Sequence, residues 1–237
     1  MHIYYLTRRT LSCFAAAVIV LALAAATNML SQNPDRKASV PAVNPVYIGN
    51  TQEKAVAIMV NVDWGEKVLP AMIKMFKNKR IEATFFITGR FAQKNQELVQ
   101  EIARSGFEIG NHGYSHPHPN SMGLEQNKNE IIKTEQVLTG LNVKVSKIFA
   151  PPYGEHQQHV LKAANSLGYK TIMWTIDTLD WQDPSPEAII KKVLSKADNG
   201  ALVLTHPKEC TVAALPAVID ALRAQDFSFK TVTGILQ

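Results

Sequence analysis

Val56-Ala57-Ile58-Met59-Val60 is an unbroken apolar run between Lys54-Ala55 and Asn61. A strand with one wet face alternates polar and apolar residues, whereas a short run without polar positions is buried on both faces. Ala83-Thr-Phe-Phe-Ile87 repeats the pattern, and Phe107–Ile109, Lys147–Ala150, Thr171–Thr175, Ala201–Thr205 and Phe227–Thr231 are further strand candidates. Between them lie segments with helical spacing: Leu69–Lys77, Phe91–Ser105, Glu125–Leu138, His156–Leu167, Pro186–Lys196 and Ala213–Ala224. Buried strands alternating with amphipathic helices imply an α/β fold built from parallel βα units. About seven strands in roughly 190 residues suit a (β/α) barrel better than an open sheet, and in such barrels chemistry gathers at the C-terminal ends of the strands.

The barrel does not use the whole chain. The protein has 237 residues, 46% of them apolar, enough for one domain and an appendage. Arg8 and Arg9 precede an uncharged run from Thr10 to Ser31, so residues 1–31 read as a signal peptide or membrane anchor. The run just reaches the roughly 20 residues a bilayer span needs, and Ala24-Ala25-Ala26 offers a cleavage site, so cleaved and anchored export both stay open. Cytoplasmic arginines would leave the rest of the chain outside the cytoplasm. Residues 32–52, polar and carrying Pro34, Pro41 and Pro45, read as a linker, and residues 53–237 as the domain.

Only Cys13 and Cys210 are present, so no disulfide framework is available. Cys13 precedes the apolar core rather than following it, against a lipoprotein anchor. A net charge of +5 and a pI near 9.1 suit an anionic wall or membrane surface. No basic block is dense enough for nucleic acid, and the expected state is a monomer.

The chemically suggestive residues all fall just after strands. Asn61 and Asp63 follow the first, His112 and His116 the third, Ala150-Pro-Pro-Tyr-Gly154 the fourth, Asp177-Thr-Leu-Asp-Trp181 the fifth and His206 the sixth. Two imidazoles four residues apart can close on one transition-metal ion, and a catalytic zinc site needs a third protein ligand with an open position for water. By type and context, His118, His156 and His159 read as solvated, Trp64 and Trp174 as packing residues, and Asp180-Trp181 as a helix cap and core anchor.

Ala83-Thr-Phe-Phe-Ile-Thr-Gly89, Gly106-Phe-Glu-Ile-Gly-Asn-His-Gly-Tyr-Ser-His-Pro117 and Leu204-Thr-His206 resemble, in order, segments of the polysaccharide deacetylases with a NodB homology domain (carbohydrate esterase family 4-like). The likeness runs from about Lys54 to Leu236. The Asn-Val-Asp-Trp-Gly form of the first motif is similar to a sporulation-associated branch. The resemblance implies a hydrolase that removes acetyl groups from an N-acetylated cell-wall polysaccharide, peptidoglycan or chitin-like, with a divalent metal, most often zinc. It implies His112 and His116 as metal ligands, His206 as general acid, Asp177 as the carboxylate orienting it, and Tyr153 and Trp181 as substrate-groove residues.

The first motif departs from the family's Thr-Phe-Asp-Asp-Gly. An ungapped register puts Asn61 at the base position and Val62 at the metal position; a shift of two puts Asp63 and Trp64 there. The arginine that holds the base ionised in the family is replaced by Ala150, which favours the ungapped register: with no carboxylate at 61 there is nothing for it to hold. Residues i and i+2 of a strand share a face, so Asp63 is the candidate third metal ligand or displaced base. Asn61 can orient a substrate or water but cannot take a proton. Weakened hydrolysis, or a glycan-binding module without turnover, are the two readings.

Overall fold

The computed structural model describes Met1, residues 17–25 and residues 42–237. It divides into two units, Met1–Ala42 and Val43–Gln237. In the first, residues 17–25 form an exposed helix, α1. Among the described residues no helix is long and apolar enough to cross a membrane; most of the expected export segment lies outside them.

The second unit is the barrel. Its strands are β1 (Ala55–Val62), β2 (Thr84–Ile87), β3 (Glu108–Asn111), β4 (Ile148–Phe149), β5 (Lys170–Thr171), β6 (Ile176–Asp177), β7 (Ala201–Thr205) and β8 (Ser228–Phe229). Every pairing between them is parallel, in the order β5-β4-β3-β2-β1-β7-β6, with β8 beside the start of β1. The sheet curls into a barrel that is open between β5 and β6. The helices are α2 (Leu69–Lys79), α3 (Gly89–Lys94), α4 (Gln96–Arg104), α5 (Leu124–Gly140), α6 (Gln158–Ser166), α7 (Pro186–Leu194), α8 (Glu209–Arg223) and α9 (Val232–Ile235).

β1 is buried along its whole length, and its side chains sort by the two-residue period of a strand. Val56, Ile58, Val60 and Val62 pack with Leu69, Phe76, Val218 and Ile219 of the helical layer. Ala55, Ala57 and Met59 face the barrel interior with Phe86, Ile148, Ala150 and Leu202. Small residues suit a narrow interior and branched ones a helix-covered face. Continued past Met59, the inward face carries Asn61 and then Asp63; Val62 belongs to the helix side.

Three expectations change. The predicted strand Thr171–Thr175 keeps only Thr171, the end of β5, and β6 begins just past it at Ile176, because the chain crosses the opening there: the Thr175 N–H and hydroxyl both donate to the Leu202 carbonyl (3.0 and 3.2 Å). The predicted helix Phe91–Ser105 is α3 and α4, broken at Asn95, whose φ −124° and ψ 50° are not helical. Finally, residues 43–52 dock on the domain instead of linking to it. Val46 bridges Ile172, Ile48 bridges Ala201, and the Gly49 N–H donates to Gly200 O at 2.8 Å. This segment spans the open side of the barrel.

Candidate active site

A cavity of about 400 Å³ opens at the C-terminal ends of the strands. Asn61 and Asp63 from β1, His112 and His116 after β3, Tyr153 after β4, Asp177 and Trp181 around β6, and His206 after β7 all line it. Every site residue expected from the sequence therefore meets in one place. How they are partnered differs from expectation.

The loop carrying the two histidines is held from both sides. Asn111 donates from its amide to Ile131 O (2.8 Å) and accepts the Gly113 N–H (2.9 Å). Glu130 of α5 accepts the N–H groups of Tyr114 (2.9 Å) and Ser115 (2.7 Å). His112 is buried, and its Nδ1–H donates to the Ala150 carbonyl at 2.7 Å, which leaves Nε2 as the nitrogen with a lone pair. Burial pushes its pKa from 6.5 down to about 3, with nearby His116 adding to the effect. His116 is also lowered, again by burial first, although Asp63 opposes this. Both rings are therefore neutral near pH 7. They stand 5.1 Å apart between centroids, nearly edge to face. His116 (φ 55°), Tyr153 (φ 57°) and Leu179 (φ 55°) all have left-handed backbone, and strain of this kind collects at functional sites.

His206 carries the second constellation. Its Nδ1–H donates to Asp180 Oδ1 at 2.7 Å and its backbone N–H to Oδ2 at 2.6 Å. Thr211 adds a hydroxyl bond to Oδ2 at 2.6 Å. Asp180 has no solvent contact. The orienting carboxylate is thus Asp180, not the expected Asp177. Asp177 spends an oxygen on the Leu179 N–H (2.8 Å), closing the tight turn that swings Asp180 under β7. From the sequence Asp180 reads as a helix cap, and nothing in the spacing of Asp177 and Asp180 tells which of them reaches His206. Trp64, read as packing, is 41% exposed and lies parallel to the His206 ring at 6.1 Å, with the Lys208 amine 5.5 Å above it. Trp174 does pack, its ring edge against Gly154, whose φ of +67° and 2.7 Å clearance exclude a side chain.

Tyr153 and Trp181 are 58% and 52% exposed at the rim. Tyr153 meets His116 edge-on at 4.7 Å and stacks flat on His118 at 4.0 Å. His118 Nδ1 is hydrogen-bonded to Glu155 Oε1 (2.9 Å), and His156 donates or accepts at Tyr47 (2.9 Å) and lies 2.6 Å from Gly154 O. His118 is exposed, as expected of a solvated loop residue, whereas His156 is part-buried. His159, also read as solvated, is part-buried with Nε2 3.3 Å from Pro119 O.

The expected third metal ligand is the main correction. Arg90 Nε donates to Asp63 Oδ1 at 2.6 Å and its Nη2 to Oδ2, while Thr88 adds a hydroxyl bond to Oδ1 at 2.9 Å. Burial opposes ionisation of Asp63, but these bonds and the nearby charges of His116 and Arg90 outweigh it and the pKa is lowered. A carboxylate held this way is a poor base and has both oxygens engaged. At position 61 the amide oxygen is buried without a partner, and Val62 faces the helices. Among the described residues, no three His, Cys, Asp or Glu side chains come together as a metal-holding group. The divalent metal implied by the family resemblance therefore finds two imidazoles, and the residues present do not fit it. Arg90 and Thr88 were missed because they follow β2 in a stretch, Thr88-Gly-Arg90, that carries no ligand pattern.

Parallel strands closing on a cavity where ionisable groups from many strand ends converge define the β/α-barrel class of folds, and this chain falls within it. Comparison with known proteins narrows the class: a family model described as polysaccharide deacetylase matches residues 48–172, and the chain belongs to that family. It is 37% identical over 193 residues to the uncharacterized protein YlxY of Bacillus subtilis, covering 81% of this chain and 60% of that one. It is 34% identical over 173 residues to a peptidoglycan-N-acetylglucosamine deacetylase of Bacillus cereus, covering 71% and 63%. The chain thus spans less than two thirds of the length of both relatives. Among solved structures, BA3943 of Bacillus anthracis, described as a CE4 family pseudoenzyme, superposes with a TM-score of 0.79 at 34% identity, covering 82% of this chain and 69% of that one.

Proposed function

We propose that the protein is a hydrolase of N-acetylated cell-wall glycan, peptidoglycan or chitin-like, that removes acetyl groups with strongly reduced turnover. One observation carries this: the His206–Asp180 pair faces the same cavity as His112 and His116, while the base half of the site is dismantled. Asp180 fixes His206 with Nδ1–H inward, so Nε2, once protonated, is the nitrogen that gives its proton to the leaving amine as water adds to the acetyl carbonyl and the C–N bond breaks. Trp181 and Tyr153 offer aromatic surface for sugar rings, and Tyr153 and Trp64 hold His116 and His206 against ring faces and edges. Asn61 orients, but takes no proton. Loss of a general base costs about 10²–10⁴-fold. The two imidazoles, with Asp63 already held by Arg90, are a donor set that does not fit zinc.

A second reading is a glycan-binding module without turnover. The Arg90 clamp on Asp63 favours it, as does the likeness to a protein described as a pseudoenzyme. Acetate release from N-acetylated peptidoglycan, compared for the native chain, Asp63→Asn and Asn61→Asp, separates the two. The hydrolase reading expects slow release that is insensitive to Asp63→Asn and faster with Asn61→Asp. No release by any of them, with the glycan still retained on the immobilised protein, gives the second reading.

Export, with the N-terminal segment as anchor or cleaved signal, is part of the same proposal, supported by Arg8-Arg9 and the uncharged run that follows. So are a monomeric state and a role in sporulation, the latter supported by the Asn61-Val-Asp-Trp-Gly65 motif.

A further inference from the structure

Asp63 is held by a cation from the neighbouring strand end. The Arg90 guanidinium grips both carboxylate oxygens, with Asp63 9% and Arg90 51% exposed at the side chain. The grip is built into the histidine loop. The Arg90 N–H donates to Tyr114 O at 2.9 Å and the Gly89 N–H to Gly113 O at 3.0 Å, so the residue before and the residue of the cation are both fastened between His112 and His116. Thr88 caps α3 by accepting the Phe91 N–H (3.3 Å) and donates its own proton to Asp63. A guanidinium keeps its charge at any working pH and matches a carboxylate with two parallel bonds.

The geometry points to Arg90 as the resident cation on Asp63, competing with any divalent metal for that carboxylate. A metal ion needs a third ligand beyond the two imidazoles, and Asp63, which lines the same cavity, is the carboxylate whose charge acts on both of them. While Arg90 holds it, a divalent ion must displace a bidentate bond and also sit beside a fixed positive charge. Removing Arg90 frees the carboxylate and deletes the repulsion. Metal affinity and Arg90 are therefore antagonists in this chain. The inference does not depend on turnover, and its test reads metal alone.

Purified full-length protein, stripped with a chelator and dialysed, is titrated calorimetrically with Zn²⁺, with Co²⁺ absorption as a second report of imidazole and carboxylate ligation. Arg90→Ala is expected to bind Zn²⁺ at least about tenfold more tightly than the native chain, the scale of effect seen when the surroundings of metal ligands change. The gain should vanish in the Arg90→Ala/Asp63→Asn and Arg90→Ala/His112→Ala double variants. Arg90→Gln, which keeps most of the side chain's packing, should show the same gain, and circular dichroism monitors folding of each variant. Equal affinity in native and Arg90 variants, or a gain that survives Asp63→Asn, overturns the inference.

Discussion

Asp180 takes three hydrogen bonds on a carboxylate with no solvent contact, and its removal would strand three donors. Asp180→Ala is expected to cost about 1–3 kcal/mol, read as a lower urea midpoint, whereas Asp177→Ala, losing one turn bond, should cost less. His112 makes a different prediction. Its folded pKa, about 3, lies below its ordinary 6.5, so between those values the unfolded chain binds the proton and the native state does not. Stability should be insensitive to this group above pH 6.5 and fall as pH drops toward 3, by up to about 1.4 kcal/mol per pH unit. His112→Gln should flatten that limb of the stability–pH curve; an unchanged slope would remove the buried neutral imidazole from the account. At this scale the sequence was half legible. His112, His116 and His206 are recognisable by type and place, but Asp177 and Asp180 lie three apart in one turn. Only the Leu179 N–H bond to Asp177 decides which of them is free to reach His206.

β1 shows what was legible in an element. The apolar run announces a strand buried on both sides, and the sizes of alternate residues tell which side faces the barrel. Extending that alternation places Asn61 and Asp63 inward and Val62 outward, so strand periodicity, not motif alignment, decides what stands in the cavity. Gly110 in β3 is a second case. A Cβ there would lie 2.7 Å from two atoms of the Phe86 ring and 3.0 Å from Ile148 Cγ1. Gly110→Ala should therefore cost about 1–3 kcal/mol by overpacking, read as a drop in Tm of about 2–4 °C per kcal/mol; an unchanged Tm would mean the interior is less tightly filled than the structure has it. The break at Asn95 and the division of β5 from β6 were not legible. Asn95 sits in an otherwise helical pattern, and the crossing at Thr175 answers to a carbonyl of β7, a partner remote in sequence.

For the whole molecule, the regular alternation of elements made the barrel legible, while its open side was not. That side is spanned by residues 43–52, whose polar, proline-containing composition reads as a linker because their partners are backbone groups of other strands. The barrel brings together two halves of the candidate site in different states. One is an intact His206–Asp180 pair. The other has an amide at the base position and a carboxylate already held by arginine. The central claim is that the first half still works slowly without the second. Acetate released from an N-acetylated chitooligosaccharide, measured side by side for the native protein and His206→Ala, tests this directly. The account predicts slow release by the native chain that His206→Ala lowers by about 10²-fold or more; equal release by the two proteins would contradict it.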